Sequence, residues 1–94
     1  MKAAVRASSL SKALKTCLKK SSSPRLVFDD DGVFVLSEQV KIMQVEGVSD
    51  VNGWGHVEWD RAQKIVKILD VLGEYGTVTI AYEGNWVRFV DLRL

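Results

Sequence analysis

The sequence predicts an α+β fold, two helices packed on one face of an antiparallel sheet, supplied by a duplicated β-α-β-β-β unit. Three observations carry this expectation. Apolar residues recur at i, i+3, i+4, i+7 in two stretches, Leu10, Ala13, Leu14, Cys17 and Ala62, Ile65, Val66, Leu69, the period of a helix with one buried face. These stretches lie 52 positions apart, as do Lys12 and Lys64 or Lys15 and Lys67. The segments that follow each helix are short apolar runs broken by Gly, Asp and Asn, which is how strands and tight turns are written.

Length and composition bound the rest. Ninety-four residues with 47% apolar content fill one modest core, so residues 1–94 are expected to form a single domain with internal halves 1–46 and 53–94. Neither half can bury both its sheet face and its helix stripe alone, and the two should share one core. A net charge of +1 excludes no partner, so any such argument rests on where the charges sit. One cysteine cannot close an internal disulfide, and neither it nor the one histidine has zinc-ligand spacing. A reducing, cytoplasmic setting is expected, with no cofactor, no metal and no small-molecule substrate implied. The apolar runs are too short for a membrane span. Residues 1–28 hold no carboxylate and resemble a transit peptide in composition, but the repeat needs them, and they are expected to belong to the fold.

In chain order, Ala3 to Ala7 is a short extended stretch, and Ser8 is expected to cap a helix running to Lys20. Leu10, Ala13, Leu14, Cys17 and Leu18 form one apolar arc, with Lys12, Lys15 and Lys19 opposite; Ser21, Ser22, Ser23 and Pro24 end the element. Arg25 to Asp29 and Val33 to Ser37 make a hairpin around Asp29-Asp30-Asp31-Gly32. A further strand is expected at Val40 to Val45, with Val40 and Ile42 on one face and Lys41 on the other. Glu46 to Asn52 is a linker. The pattern then restarts: Gly55 to Trp59 extended, Asp60 capping a helix to Leu72, Gly73 closing it, Thr77 to Tyr82 a strand, Glu83-Gly84-Asn85 a turn, and Trp86 to Leu94 one long strand or two with a bulge. At the shift of 52, Val5 meets Val57, Leu26 meets Val78, Phe28 meets Ile80, Gly32 meets Gly84, Phe34 meets Trp86, Val35 meets Val87, and Val40-Lys41-Ile42 meets Leu92-Arg93-Leu94, without a gap.

A β-α-β-β-β unit repeated twice, with basic outward helix faces, resembles one domain of a DNA sliding clamp, the processivity factor of replicative polymerases. The segments that carry the likeness are Ser9-Leu10-Ser11-Lys12-Ala13-Leu14 and Gly55-His56-Val57-Glu58-Trp59 running into Asp60 to Leu72 and then Thr77 to Tyr82. In that family several domains close into a ring with sheets outside and helices lining a hole for duplex DNA. The resemblance implies phosphate contacts from Lys12, Lys15, Lys19, Arg61, Lys64 and Lys67, and association of several copies through edge strands. Contacts to phosphates alone need no base readout. Val71 holds the wheel position that Lys19 holds in the first helix, an apolar residue that points to a protein contact instead. Trp54 and Trp86 are candidates for a partner surface, whereas Trp59 and Phe34 are expected in the core.

The remaining chemistry-bearing residues have plainer readings. Cys17 falls in the apolar stripe and is expected to be core. His56 has no second histidine or cysteine to build a dyad with. The three aspartates at 29–31 suit a hairpin turn as well as a cation. Gly53-Trp54-Gly55 lacks the lysine and the context of a phosphate loop. No nucleophile, base and orienting group can be assembled, so an enzyme is not expected. The expected function is a non-enzymatic, oligomeric, clamp-like domain on duplex DNA; the alternative is a small protein–protein interaction module that keeps the fold.

Overall fold

A computed structural model describes residues 2–19, 24–29, 32–37, 40–49, 53–83 and 86–93. The elements in order are β1 (Lys2–Arg6), α1 (Ala7–Lys19), β2 (Arg25–Asp29), β3 (Gly32–Ser37), β4 (Val40–Val45), β5 (Gly47–Ser49), β6 (Gly53–His56), α2 (Trp59–Leu72), β7 (Thr77–Glu83) and β8 (Trp86–Arg93). The fold is α+β. Both helix stripes and one face of an eight-stranded sheet, in the order β4-β3-β2-β6-β8-β7-β1-β5, enclose one core.

The period-2 alternation decides which residues face that core. Ala3 and Val5, Leu26, Val33 and Val35, Val78 and Ile80, and Val87 point inward and are buried, meeting Leu10, Ala13, Leu14 and Cys17 of α1 and Ala62, Ile65, Val66 and Leu69 of α2. Each fully buried Leu or Val contributes about 1.5–3 kcal/mol. Phe34 lies between inward Val33 and Val35, so the same alternation turns it to the open face, where it is half-buried; Trp59, at the start of α2, is half-buried too. Neither joins the core expected of it.

The strand pairing interlocks the halves. β1 pairs antiparallel with β7 of the second half, and β6 pairs antiparallel with β2 of the first, so the strand that leads into each helix is held by the other half's hairpin. Between these two blocks lies one parallel contact, His56 beside Trp86. Among the described residues the sheet is antiparallel except at this seam.

Four sequence expectations need correction. The ungapped shift fails at the hairpins: Asp29 faces Gly32 and Glu83 faces Trp86, a displacement of 54, because β7 has seven residues against five in β2. Gly84 itself lies outside the described residues. β8 is one long strand, one of the two forms expected of Trp86 to Leu94, so the second half has no separate strand matching β4 among the described residues; a bulge at Val90 keeps Phe89 and Leu92 both on the core side. The expected linker contains β5, which pairs with β1. Lastly, the helices start at Ala7 and Trp59, so Ser8 and Asp60 sit in first turns and are not caps. The Ala7 N–H donates to the Gly76 carbonyl at 2.9 Å, so one of the open N–H groups at the start of α1 is met by backbone rather than by a side-chain cap. Gly73 does close α2, at φ 77°, its N–H reaching Leu69 O at 3.3 Å. Lys20, Ser21 to Ser23, Asp30, Asp31, Asn52 and Asn85 lie outside the described residues, as do the side chains of Val40 to Ile42.

Gly55 matters at the seam. A Cβ there would stand 2.9 Å from Val87 Cγ2 and 3.3 Å from the backbone of Trp86 and Val87, closer than β6 and β8 can tolerate. Gly55→Ala is expected to lower stability by about 1–3 kcal/mol through overpacking; an unchanged urea midpoint would show that the seam can open freely. Cys17 is fully buried, its thiol 3.7 Å from the Leu36 carbonyl. Thiol labelling of the native protein should be slow and become fast in denaturant, and fast native labelling would contradict this burial.

Candidate functional site

Two surfaces collect the residues that sequence reasoning singled out. On the helix side, Lys12, Lys15 and Lys19 of α1 and Arg61, Lys64 and Lys67 of α2 are all exposed. The apolar stripes dictate this, since the residues between them must face water. The two helices carry six of the chain's thirteen cations and only two of its twelve carboxylates, Asp60 and Asp70. Positive charge is thus concentrated on this side of a chain that is nearly neutral.

Lys15 differs from the others. Its ammonium lies 2.8 Å from Asp70 Oδ2 and 3.1 Å from Oδ1, and the buried Ser11 hydroxyl donates to Oδ1 at 2.6 Å. This cluster ties the opening turns of α1 to the closing turns of α2. Asp70 was not a candidate in the sequence, since nothing local marks a carboxylate near the end of one helix as the partner of a residue 55 positions earlier.

Val71 is 80% exposed, and Ile68 and Tyr75 nearby in the chain are exposed as well. Ile68 also lines a groove between α2 and β8, with Ile65, Lys64, Phe89 and Leu92. In the first half, β4 pairs with β3 and lies against α1.

The second surface is the open face of the sheet. Trp54 and Trp86 are 43% and 55% exposed, and the seam brings them together around His56. The His56 ring stands edge-on to Trp54 at 5.4 Å between centroids and tilted to Trp86 at 6.1 Å. The Arg25 guanidinium lies 4.7 Å from the Trp54 ring centroid, a cation–π contact. Both tryptophans were expected on a partner surface. His56 and Arg25 were missed: the two-residue spacing of Trp54 and His56 put them on one strand face, but their link to Trp86 and Arg25 depends on pairings far apart in the chain.

No group of three His, Cys, Asp or Glu side chains able to hold a metal occurs among the described residues, and Asp30 and Asp31 fall outside them. Among the described residues no helix is long and apolar enough to cross a membrane. Compared with protein-family models, curated proteins and solved structures, the chain matches none.

The Lys15 hydrogen bond, then that from Ser11, hold the Asp70 carboxyl below its ordinary aspartate range. The stabilisation is therefore full above that range and is lost as the pH falls through the lowered value. Because both side chains are about half exposed, the coupling between Lys15→Gln and Asp70→Asn should be under about 1 kcal/mol at neutral pH. It should vanish in strong acid. Urea midpoints of the four proteins at the two pH values give the cycle, and a coupling that persists in acid would contradict this account.

Proposed function

We propose that this chain is a non-enzymatic, clamp-like domain whose helix face associates with duplex DNA without reading its sequence, as part of an oligomer. The observation that carries the reading is the concentration of cations on the two helices, with Lys12, Lys19, Arg61, Lys64 and Lys67 exposed on one side. Cations on flexible stems near phosphates bind by releasing counterions and need no base contact. The interlocked pairing of β1 with β7 and β6 with β2 supports a duplicated, pseudo-twofold unit, although the second half has no strand matching β4 among the described residues.

The oligomer is required by size. At 30 × 29 × 21 Å one domain encloses nothing, and five phosphate contacts give weak binding alone. Sheet edges offer a route to assembly: β4 ends the sheet on one side, and beyond Trp86 β8 pairs only with β7 among the described residues. The groove beside β8, lined by Ile65, Ile68, Phe89 and Leu92 together with Glu58, Asp60, Arg61 and Lys64, offers an extended segment both apolar and charged contacts.

A second reading rests on Val71 and Tyr75, 80% and 81% exposed where a phosphate-binding face would carry cations. They favour a protein contact, and a module that binds protein alone.

Titration with duplex DNA at low and moderate salt, beside a solution mass measurement, separates the two. Affinity should fall steeply with salt, be indifferent to base sequence and accompany a mass above the monomer. Lys12→Gln and Lys64→Gln should each flatten the slope by roughly one unit, and Lys15→Gln by less because Asp70 already holds it. A monomer with no duplex binding at low salt removes the clamp reading.

A further inference from the structure

We propose that the groove between α2 and β8 is a docking site for an extended segment of another protein, which lies antiparallel to β8 and sets a carboxylate against Arg61 and Lys64. The first half shows what fills the corresponding place. There β4 pairs antiparallel with β3, rests against α1 and runs through Glu46 into β5. Glu46 is held at the start of the helix. Its N–H donates to Ser9 Oγ at 2.9 Å, its carbonyl accepts from the Arg6 N–H at 2.8 Å, and its carboxylate lies 3.0 Å from Arg6 Nε.

Counted from the helix starts at Ala7 and Trp59, the counterparts of Arg6 and Ser9 are Glu58 and Arg61, and both line the groove. The groove therefore lies where β4 lies in the first half, and beyond Trp86 β8 pairs only with β7 among the described residues. Ile65 and Ile68 stand where α1 has Ala13 and Thr16, so this flank offers more apolar wall than its counterpart, with Phe89 and Leu92 opposite. A strand edge beside apolar walls suits a polypeptide that adds to the sheet and alternates its apolar side chains.

The charges narrow the choice of partner. Arg61 and Lys64 stand one turn apart on α2, and among the described residues neither is in an ion pair. Glu58 and Asp60 line the groove as well, where β6 leads into α2, and Arg88 at that end is already engaged. A polyanion such as nucleic acid is repelled by the two carboxylates. A wholly apolar segment leaves two cations desolvated without a partner. A strand with one carboxylate among apolar residues matches Arg61 and Lys64 and brings too little negative charge for Glu58 and Asp60 to expel it. The chain's own segment from Val40 to Ser49 has this pattern, with Val40, Ile42 and Val45 leading to Glu46. Docking of this kind needs neither duplex DNA nor an oligomer, so it stands apart from the function proposed above.

The test is fluorescence anisotropy of labelled peptides of sequence Val40 to Ser49, one as it stands and one with Glu46→Lys, titrated with the full chain. The native protein should bind the Glu46 peptide about fivefold more tightly than the lysine peptide, and Arg61→Glu should reverse that order. Ile68→Asp should weaken the Glu46 peptide about tenfold, and Lys12→Gln/Lys19→Gln, on the other helix, should bind as native does. Circular dichroism checks the fold of each variant, all at exposed positions. The proposal is overturned if the native protein binds neither peptide, if it binds both equally, if Arg61→Glu leaves their order unchanged, or if Ile68→Asp binds as native does. A native mass above the monomer that Ile68→Asp brings down to the monomer puts a second copy in the groove; that overturns a foreign segment as the occupant and supports the oligomer. Peptide binding by a chain that ignores duplex DNA supports the groove and removes only the helix-face reading.

Discussion

The fold turns on the seam between β6 and β8. One parallel residue pair, His56 beside Trp86, joins a block of four strands to another block of four, and the absence of a side chain at Gly55 lets the two backbones approach. So short a contact would be a weak joint by itself. It holds because β1 and β6 are each paired into the opposite half, and because α1 and α2 pack over both blocks with the shared core of Leu10, Leu14, Leu26, Leu69 and Ile80. Separating the blocks would expose both helix stripes at once, so the halves are expected to unfold as one cooperative unit.

That arrangement also fixes what the two faces present. Packing both helix stripes on one side leaves the polar sides of α1 and α2 outward together, and the fields of their cations add. Asp70 limits the effect locally by taking Lys15 into an ion pair, which spends one cation on holding the helices together. On the other side, no helix among the described residues covers the sheet, so a residue that alternation points away from the core meets water unless a neighbour shields it. Arg25, Trp54, His56 and Trp86 shield each other there, and that mutual contact is why the tryptophans are only half exposed.

What the sequence made legible was local. The helix stripes were readable because residues three and four apart must share a face, and Cys17 followed from the same rule. The inward valines of the strands were readable from alternation, a rule that also turns Phe34 outward from between Val33 and Val35. The Lys faces followed by elimination from the stripes. The exchange of β1 and β6 was not readable, because strand partners are chosen by tertiary packing and leave no mark in either strand. β5 is three residues long and paired to β1, too short for any period to declare itself. The Asp70 link and the joining of His56 to Trp86 failed for the same reason as the exchange.

The unequal halves explain where the molecule is unfinished. β4 lies along β3 and against α1, so that flank of the first half is shielded by the chain's own strand. At the matching flank of the second half β8 bulges at Val90 and runs on, and Ile65, Ile68, Phe89 and Leu92 line an open groove instead. Where the first half closes its flank with β4, the second leaves β8 beside a groove in which Ile65, Ile68, Phe89 and Leu92 alternate with Glu58, Asp60, Arg61 and Lys64. Edge, groove and the exposed end of α2 with Ile68 and Val71 lie on the second half. A segment seated along them would meet Arg61 and Lys64, which line the groove with Glu58 and Asp60, and would leave Lys12 and Lys19 of α1 exposed.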